Sequence, residues 1–457
     1  MKTQLAFGVL WLASARGIIQ DEEASRATVL LQRAVVHPGP ATVDVSADGR
    51  FVAFESAAAL VPADRNRSVD IYVLDRSTRN VTLESVVTDT TVGHGTRHPR
   101  LSGDGRYLVF TSSAHTLADQ PMAAVAPQVV LRDRRAGTTT LVSRTLVAAP
   151  ANAASGHADI SDDGDTIVFQ SSATDLVDGE DRNGPGWDVF AFDVRSHRIA
   201  RVSVDGNGAQ QTTGSSFAPT VSGDGRYVVF VSSVPLDGQS NRRRSGRKAE
   251  GVLHVYLRNL HSGLIRRISR APAADGTDGP SFHPAVSGDG RLVAFVSQAT
   301  NLVPRDSNRV ADVFLHDVHT GQTTLVSRSA RGGSATGPSR HPALSADGRF
   351  VAFVSEASDL DCSGRCPNHL PDLNLVADVY LFDTRTHAVA RVSGARARSP
   401  WWEVSTGPSL DAAGRLIAFS SRHPIDPSDV KHDFDVFVEE MPVVRERTDP
   451  GGISRLR

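Results

Sequence analysis

An eleven-residue unit, Ser345-Ala-Asp-Gly-Arg-Phe-Val-Ala-Phe-Val-Ser355, recurs along the chain and limits the folds open to it more than any other feature. Copies begin at Ser46, Ser102, Ser161, Ser222, Ser287 and Ser345, and at Asp411, where aspartate replaces the serine. Successive starts lie 56, 59, 61, 65, 58 and 66 residues apart. Self-similarity at such a period marks an array of like supersecondary units that bury their faces against one another.

Each unit reads as four strands. Residues 341–345 form a short extended run, Asp-Gly follows, and residues 349–355 alternate in the manner of a strand. Asp-Gly between two such runs is the strongest short-range hairpin signal, with both central residues expected at positive φ. After a loop of variable length come Asp378-Val-Tyr-Leu-Phe-Asp383, a polar turn, and Val389-Ala-Arg-Val-Ser393. These are strands a, b, c and d of one blade, and seven blades predict an all-β fold, a seven-bladed β-propeller of four-stranded antiparallel sheets. A row of independent sandwiches is disfavoured, because a unit of about 60 residues has too little core to stand alone.

The ends of the chain fit the same scheme. Residues 27–33 resemble a strand d such as residues 323–328 but precede unit one, while the last unit supplies only a, b and c. An N-terminal strand is therefore expected to complete blade seven and close the ring, giving a propeller over residues 27–440 and a polar tail over 441–457. Residues 1–15 carry one lysine, an apolar run from Leu5 to Leu12 and Ala13-Ser14-Ala15, the pattern of a secretory signal peptide. That run is too short to span a bilayer. A formal net charge of -2 gives no electrostatic case for binding nucleic acid or an anionic membrane. The two cysteines, Cys362 and Cys366, lie in the b-to-c loop of unit six, and in an exported chain they are expected to form a small disulfide.

The pattern S-x-D-G-R-x-x-x-F followed by D-[VI]-[YF], visible over roughly residues 42 to 440, resembles the repeats of the TolB-like propeller family. The resemblance implies a propeller and says little about activity, since such propellers serve as envelope proteins, protease appendages and a few lyases. TolB proteins place an α/β domain before the propeller, for which this sequence offers only a few residues. Prolyl-peptidase-like relatives place a hydrolase after it; no G-x-S-x-G occurs here.

The face carrying the d-to-a and b-to-c loops is where the repeats stop being alike. Four residues before the motif serine, at the expected start of innermost strand a, stand Thr42, His98, His157, Ala218, His283, His341 and Gly407. The four imidazoles are candidate ligands for one transition metal at the channel mouth. Such a ring is similar to that of oligogalacturonate lyases, propellers that hold a metal largely with histidines, and Arg97, Arg100 and Arg340 beside it are placed to hold a carboxylate substrate. The alternative is structural, with the histidines capping the strand and bonding to backbone of the next blade. Pro99, Pro284 and Pro342 follow three of them.

The second irregularity is an Asp-x-Asn in the b-to-c loop with an aspartate opening strand c. The sets are Asp64, Asn66 and Asp70; Asp181, Asn183 and Asp188; Asp306, Asn308 and Asp312; and Asp372, Asn374 and Asp378. Units two and four have Gln128 and His254 at the last position and also lack the Asp-x-Asn, so the three side chains are present or absent together. They either supply oxygen ligands to calcium or fold the loop by Asx turns capped from strand c. Unit seven has Lys431 where the asparagine would stand.

Residues 240–248 of unit four hold five positive charges, a solvated loop or a docking point for an acidic partner. Trp401 and Trp402 lie in the d-to-a connection before blade seven and are candidate contact residues. These features together predict a secreted or periplasmic monomer that binds a protein or carbohydrate partner with its loop-bearing face and is not a catalyst; the competing reading is a metal-dependent polysaccharide lyase using the histidine ring.

Overall fold

The recurring serine is a hydrogen-bonding centre. In blade one the buried Ser46 hydroxyl donates to Asp48 Oδ1 at 2.6 Å and accepts the N–H of Phe51 at 2.9 Å, while Asp48 Oδ1 accepts the N–H of Arg50. The same serine-to-aspartate bond is made by Ser102, Ser161, Ser222, Ser287 and Ser345. In unit seven Asp411 does the work of both residues, its Oδ1 accepting the N–H groups of Arg415 and Leu416. The motif arginine then clamps the end of strand c, as in the pairs Arg50–Asp75, Arg106–Asp133 and Arg291–Asp317 at 2.7 to 2.8 Å.

This chemistry changes the expected turn. Gly49, at φ 72°, is left-handed and Asp48 is not, and the N–H of Gly49 bonds to the carbonyl of Ser46. The hairpin is thus a type I turn closed by a left-handed glycine rather than a two-residue turn with both residues at positive φ. The aspartate side chain is needed on the inner side of the turn, and the type I geometry puts it there.

The computed structural model describes residues 29–30, 42–66, 68–85, 95–114, 116–117, 120–121, 126–238, 252–272, 277–329, 332–360, 376–393, 405–421 and 435–441. They form seven four-stranded antiparallel sheets. Blade one consists of Val43–Val45, Phe51–Ser56, Asp70–Asp75 and Asn80–Leu83. Blades two to six run a to d in chain order, from Thr96–Leu101 as strand a of blade two to Val389–Arg391 as strand d of blade six. Blade seven takes Ser405–Leu410, Leu416–Ser421 and Asp435–Glu440 from the C-terminal part, and its fourth strand is Val29–Leu30, paired with Val438 and Phe437. The N-terminal strand therefore closes the ring. The signal-peptide stretch, the cysteines, Asp372, Asn374, the arginine-rich loop, both tryptophans and residues 442–457 lie outside the described residues. Among the described residues no helix is long and apolar enough to cross a membrane.

Burial follows the period-two pleat. Alternate residues of strand b point to opposite neighbours: Val52 and Phe54 join Ala418 and Val436 of blade seven, whereas Ala53 packs with Leu108 and Phe110 of blade two. Each of the seven inter-blade spaces holds one such cluster. A buried Phe at this position contributes about 1.5–3 kcal/mol. Around the axis, the Asp-Gly turns are stitched by main-chain bonds, including Gly103 N–H to the carbonyl of Asp162, Asp162 N–H to that of Gly223, and Ala412 N–H to that of Ala47.

Turn glycines serve conformation and packing at once, and two of them separate these roles. Gly105 (φ 67°) and Gly137 (φ 70°) are both left-handed, but a Cβ on Gly105 would stand 2.3 Å from the Phe51 ring of the preceding blade, while one on Gly137 would meet nothing within 4 Å. Gly137→Ala is expected to cost about 1–2 kcal/mol in urea unfolding. Gly105→Ala is expected to cost about 1–3 kcal/mol more; equal losses would mean that the blades are not locked through these turns.

Candidate functional site

Strand a forms the channel wall, and it is bulged. Its pairing with strand b slips between Arg97 and Arg100, Gly156 and Asp159, Phe217 and Thr220, Phe282 and Ala285, Arg340 and Ala343, and Thr406 and Ser409. Within each slip stands the residue four before the motif serine or its substitute, and in all six it is left-handed: His98 at φ 57°, His157 at 47°, Ala218 at 51°, His283 at 48°, His341 at 51° and Gly407 at 61°. This corrects the expectation that these residues begin the strand. Strand a starts two residues earlier, as Ser339–Leu344 shows for His341. A bulge frees one residue from the ladder and re-aims its side chain, and histidine tolerates the left-handed region better than most residues.

The freed amides are met by the preceding blade. His98 N–H donates to Glu55 Oε1 at 2.6 Å, and Ala218 N–H to Gln170 Oε1 at 2.8 Å. It is the main chain of His98, rather than its ring, that bonds to the neighbouring blade. The rings pack on each other instead, His98 on His157 with centroids 4.6 Å apart and His283 by His341 at 4.9 Å. Loss of solvent within the channel pushes His98 and His341 down to about 4 and holds His157 and His283 below the usual value. All four are therefore neutral at neutral pH. The Nδ1 of His341 is buried without a hydrogen-bond partner. The four rings pack as two pairs, with His157 still close enough to act on His283, and among the described residues no three His, Cys, Asp or Glu side chains gather as a metal-holding group.

Each arginine at the mouth already faces an acid. Arg97 lies 3.7 Å from Glu55, Arg340 2.6 Å from Glu356, and Arg100 reaches Asp44 and Asp159 at 3.9 and 3.8 Å. Asp44 also accepts the N–H of Leu101, and Asp159 that of Val221, so these carboxylates tie neighbouring blades together. Burial pushes Asp44 up to about 6 despite Arg100. The positions of Asp44, Arg100 and Asp159 are taken in blades five and six by Ala285 and Ala343. The resulting cavity, about 510 Å³, is charged on one side and apolar on the other.

The Asp-x-Asn loops do make Asx turns: Asp64 Oδ1 accepts the N–H of Asn66, and Asn66 Oδ1 that of Ser68. The strand-c aspartate is held by a serine just past the end of strand d, outside the Asp-x-Asn pattern. Ser85 donates to Asp70, Ser203 to Asp188, Ser327 to Asp312 and Ser393 to Asp378, at 2.6 to 2.7 Å. Their constant separation of 15 residues was the available signal. In blade three, Gln210 Nε2 lies 2.8 Å from Asp181 Oδ1, 2.5 Å from Asn183 Oδ1 and 2.8 Å from Asp188 Oδ2, with the Arg201 guanidinium 3.3 Å from Asp181 and 3.5 Å from Asp188. Blade two instead satisfies Gln128 with the carbonyls of Ala126, Ala151 and Ala153, and blade four sets His254 against Thr277.

No family model matches this chain, and no curated protein matches it in sequence. Its likeness is to solved propellers. The puromycin-hydrolyzing peptidase of Mycobacterium tuberculosis is 13% identical, with a TM-score of 0.50 over 86% of this chain and 50% of that one, so this chain spans half its length. An oligogalacturonate lyase from Vibrio parahaemolyticus is 13% identical at a TM-score of 0.49, covering 88% and 89% of the two chains. TolB from Acinetobacter baumannii is 15% identical at 0.40, covering 79% and 65%. What these structures share with the chain is the fold.

The neutral histidines make stability depend on pH. With folded values near 4 for His98 and His341 and an unfolded value of about 6.5, the unfolded chain binds more protons between these limits. These two histidines contribute a decline in melting temperature as pH drops from about 6.5 towards about 4, opposed by the buried Asp44, Asp70, Asp306 and Asp312, whose raised values act in the other sense. His98→Asn with His341→Asn, which keeps residues suited to positive φ, should flatten that decline relative to wild type; an unchanged profile would refute it.

Proposed function

We propose that this chain is an exported, non-catalytic propeller of TolB-like form that holds a protein or carbohydrate partner on its loop-bearing face, over the channel mouth. The observation that supports this most is that the cationic groups at the mouth are already neutralised by built-in acids, Arg97 by Glu55 and Arg340 by Glu356, while the histidine rings pack in pairs, one stacked and one tilted. A lyase needs a convergent metal and a free cation for the substrate carboxylate. A docking face needs a rigid rim with polar groups and rings available for contact. Left-handed backbone at six blades holds that rim in place, and strain of this kind is retained where surrounding structure over-determines it.

Export rests on the leader-like pattern of residues 1–15. From the sequence alone, Trp401, Trp402 and the basic stretch 240–248 are the further residues proposed to contact that partner.

Incubation with acidic polysaccharides, with and without added divalent metals, is the direct test. No ultraviolet-absorbing unsaturated product is expected from the wild type. Product that forms with metal and disappears in His283→Ala with His341→Ala would overturn the non-catalytic reading in favour of a lyase.

A further inference from the structure

The Asp-x-Asn loops of blades one, three and five place the same three side chains in the same positions, but only blade three gives them a cationic partner. There the Gln210 amide nitrogen, with two hydrogens, is surrounded by three oxygens, and Arg201 covers both carboxylates. An amide nitrogen and a guanidinium thus occupy the centre of an oxygen cage.

Blade five lacks both groups. Leu325 pairs with Phe314 as Arg201 pairs with Phe190, so leucine stands at the arginine's register position. Ser334 bridges Arg328 as Gln210 bridges Val204, so a serine stands at the glutamine's. Ser334 keeps one of Gln210's tasks: its Oγ accepts the N–H groups of Ser307 and Asn308, as Gln210 Oε1 accepts that of Arg182. What is missing is the positive group. Asp306 and Asp312 remain, 9% and 0% exposed, and Asp306 Oδ1 is buried with no hydrogen-bond partner. Blade one differs: Leu83 stands opposite Tyr72 and Asp70 is fully buried, but the Tyr72 hydroxyl donates to Asp64 Oδ2, a bond that Phe314 cannot make in blade five.

Burial raises Asp70 and Asp306 to about 6 and Asp312 to about 7. A buried carboxylate oxygen left without a partner is costly, and in blade five Asp306 Oδ1 is one, beside the buried Asp312, whose own bonds come from Ser327 and Asn308.

We infer that blade five binds a hard divalent cation of the calcium type, at the position that blade three fills with Gln210 and Arg201. In blade five the ligands would be Asp306, Asp312, the amide oxygen of Asn308, the Ser334 hydroxyl and water. Asn308 Nδ2 now donates to Asp312 and to the carbonyl of Ala335, and a half-turn of the amide exchanges nitrogen for oxygen. An all-oxygen set of this kind suits calcium rather than a thiophilic or imidazole-seeking metal, and a hard cation does not require three carboxylates or imidazoles. Blade six has Arg391 at the register of Arg201, 3.6 Å from Asp378, and is expected not to need the ion.

The test is calcium uptake by chelator-treated protein, measured by equilibrium dialysis and by melting with calcium chloride against sodium chloride of equal ionic strength. The wild type is expected to bind one equivalent, in blade five, and to melt higher with calcium than with sodium. Leu325→Arg with Ser334→Gln, which transplants the blade-three solution, should lose the blade-five equivalent and melt higher than wild type without calcium. Asp306→Asn should also lose that equivalent and covers the case in which the transplant does not fold. No uptake by the wild type, or full uptake retained by both variants, overturns the inference.

Discussion

A buried serine hydroxyl, donating to one carboxylate and accepting one amide, sets the geometry from which the rest of the propeller follows. In six blades it holds the Asp-Gly hairpin in a single conformation, and in the seventh Asp411 reproduces it with one side chain. With the hairpin rigid, strand b is fixed in register. Alternate residues then fall into the two adjoining inter-blade spaces, and one hydrophobic cluster fills each space. Exposed Arg–Asp pairs at the same turns add little energy, so the locking comes from the buried hydroxyl and from the close approach of turn glycines to aromatic rings of the preceding blade.

The two ends of the channel have different work. At the Asp-Gly end, main-chain bonds pass from blade to blade around the axis. At the other end, every complete strand a is bulged, and its released amide is met, in two blades, by a carboxylate or amide from the preceding blade. The bulge brings the histidine rings into the mouth and leaves them packed ring against ring in pairs. This is the end where the repeat varies most, as is usual for loops held by a rigid scaffold.

Within the b-to-c loops one electrostatic problem has several solutions. In blades one, three, five and six the carboxylate opening strand c is bonded by the serine 15 residues later, but its second oxygen is served by Arg201 and Gln210 in blade three, and Asp70 Oδ2 in blade one has no partner. Where glutamine or histidine replaces it, carbonyls or a threonine suffice. Identical motifs thus sit in electrostatically different sites, because the deciding residues come from strand d and the loop beyond it.

The repeat period, the hairpin signals and the strand-like residues before unit one were enough to determine seven blades and the closing N-terminal strand, since all three express local chain geometry and count. The Asp-x-Asn sets and the histidine positions were equally legible, being fixed offsets from the motif. The left-handed bulge was not, because it arises from pairing between strands a and b and from the fit of the neighbouring blade. Nor was the pairing of Arg97, Arg100 and Arg340 with acids, which in sequence looked free for a substrate. Arg201, Gln210, Leu325 and Ser334 carried no motif of their own. Only the tertiary structure gave them meaning, because the charge balance of a buried carboxylate depends on what stands within a few ångströms in space and not on what stands beside it in the chain.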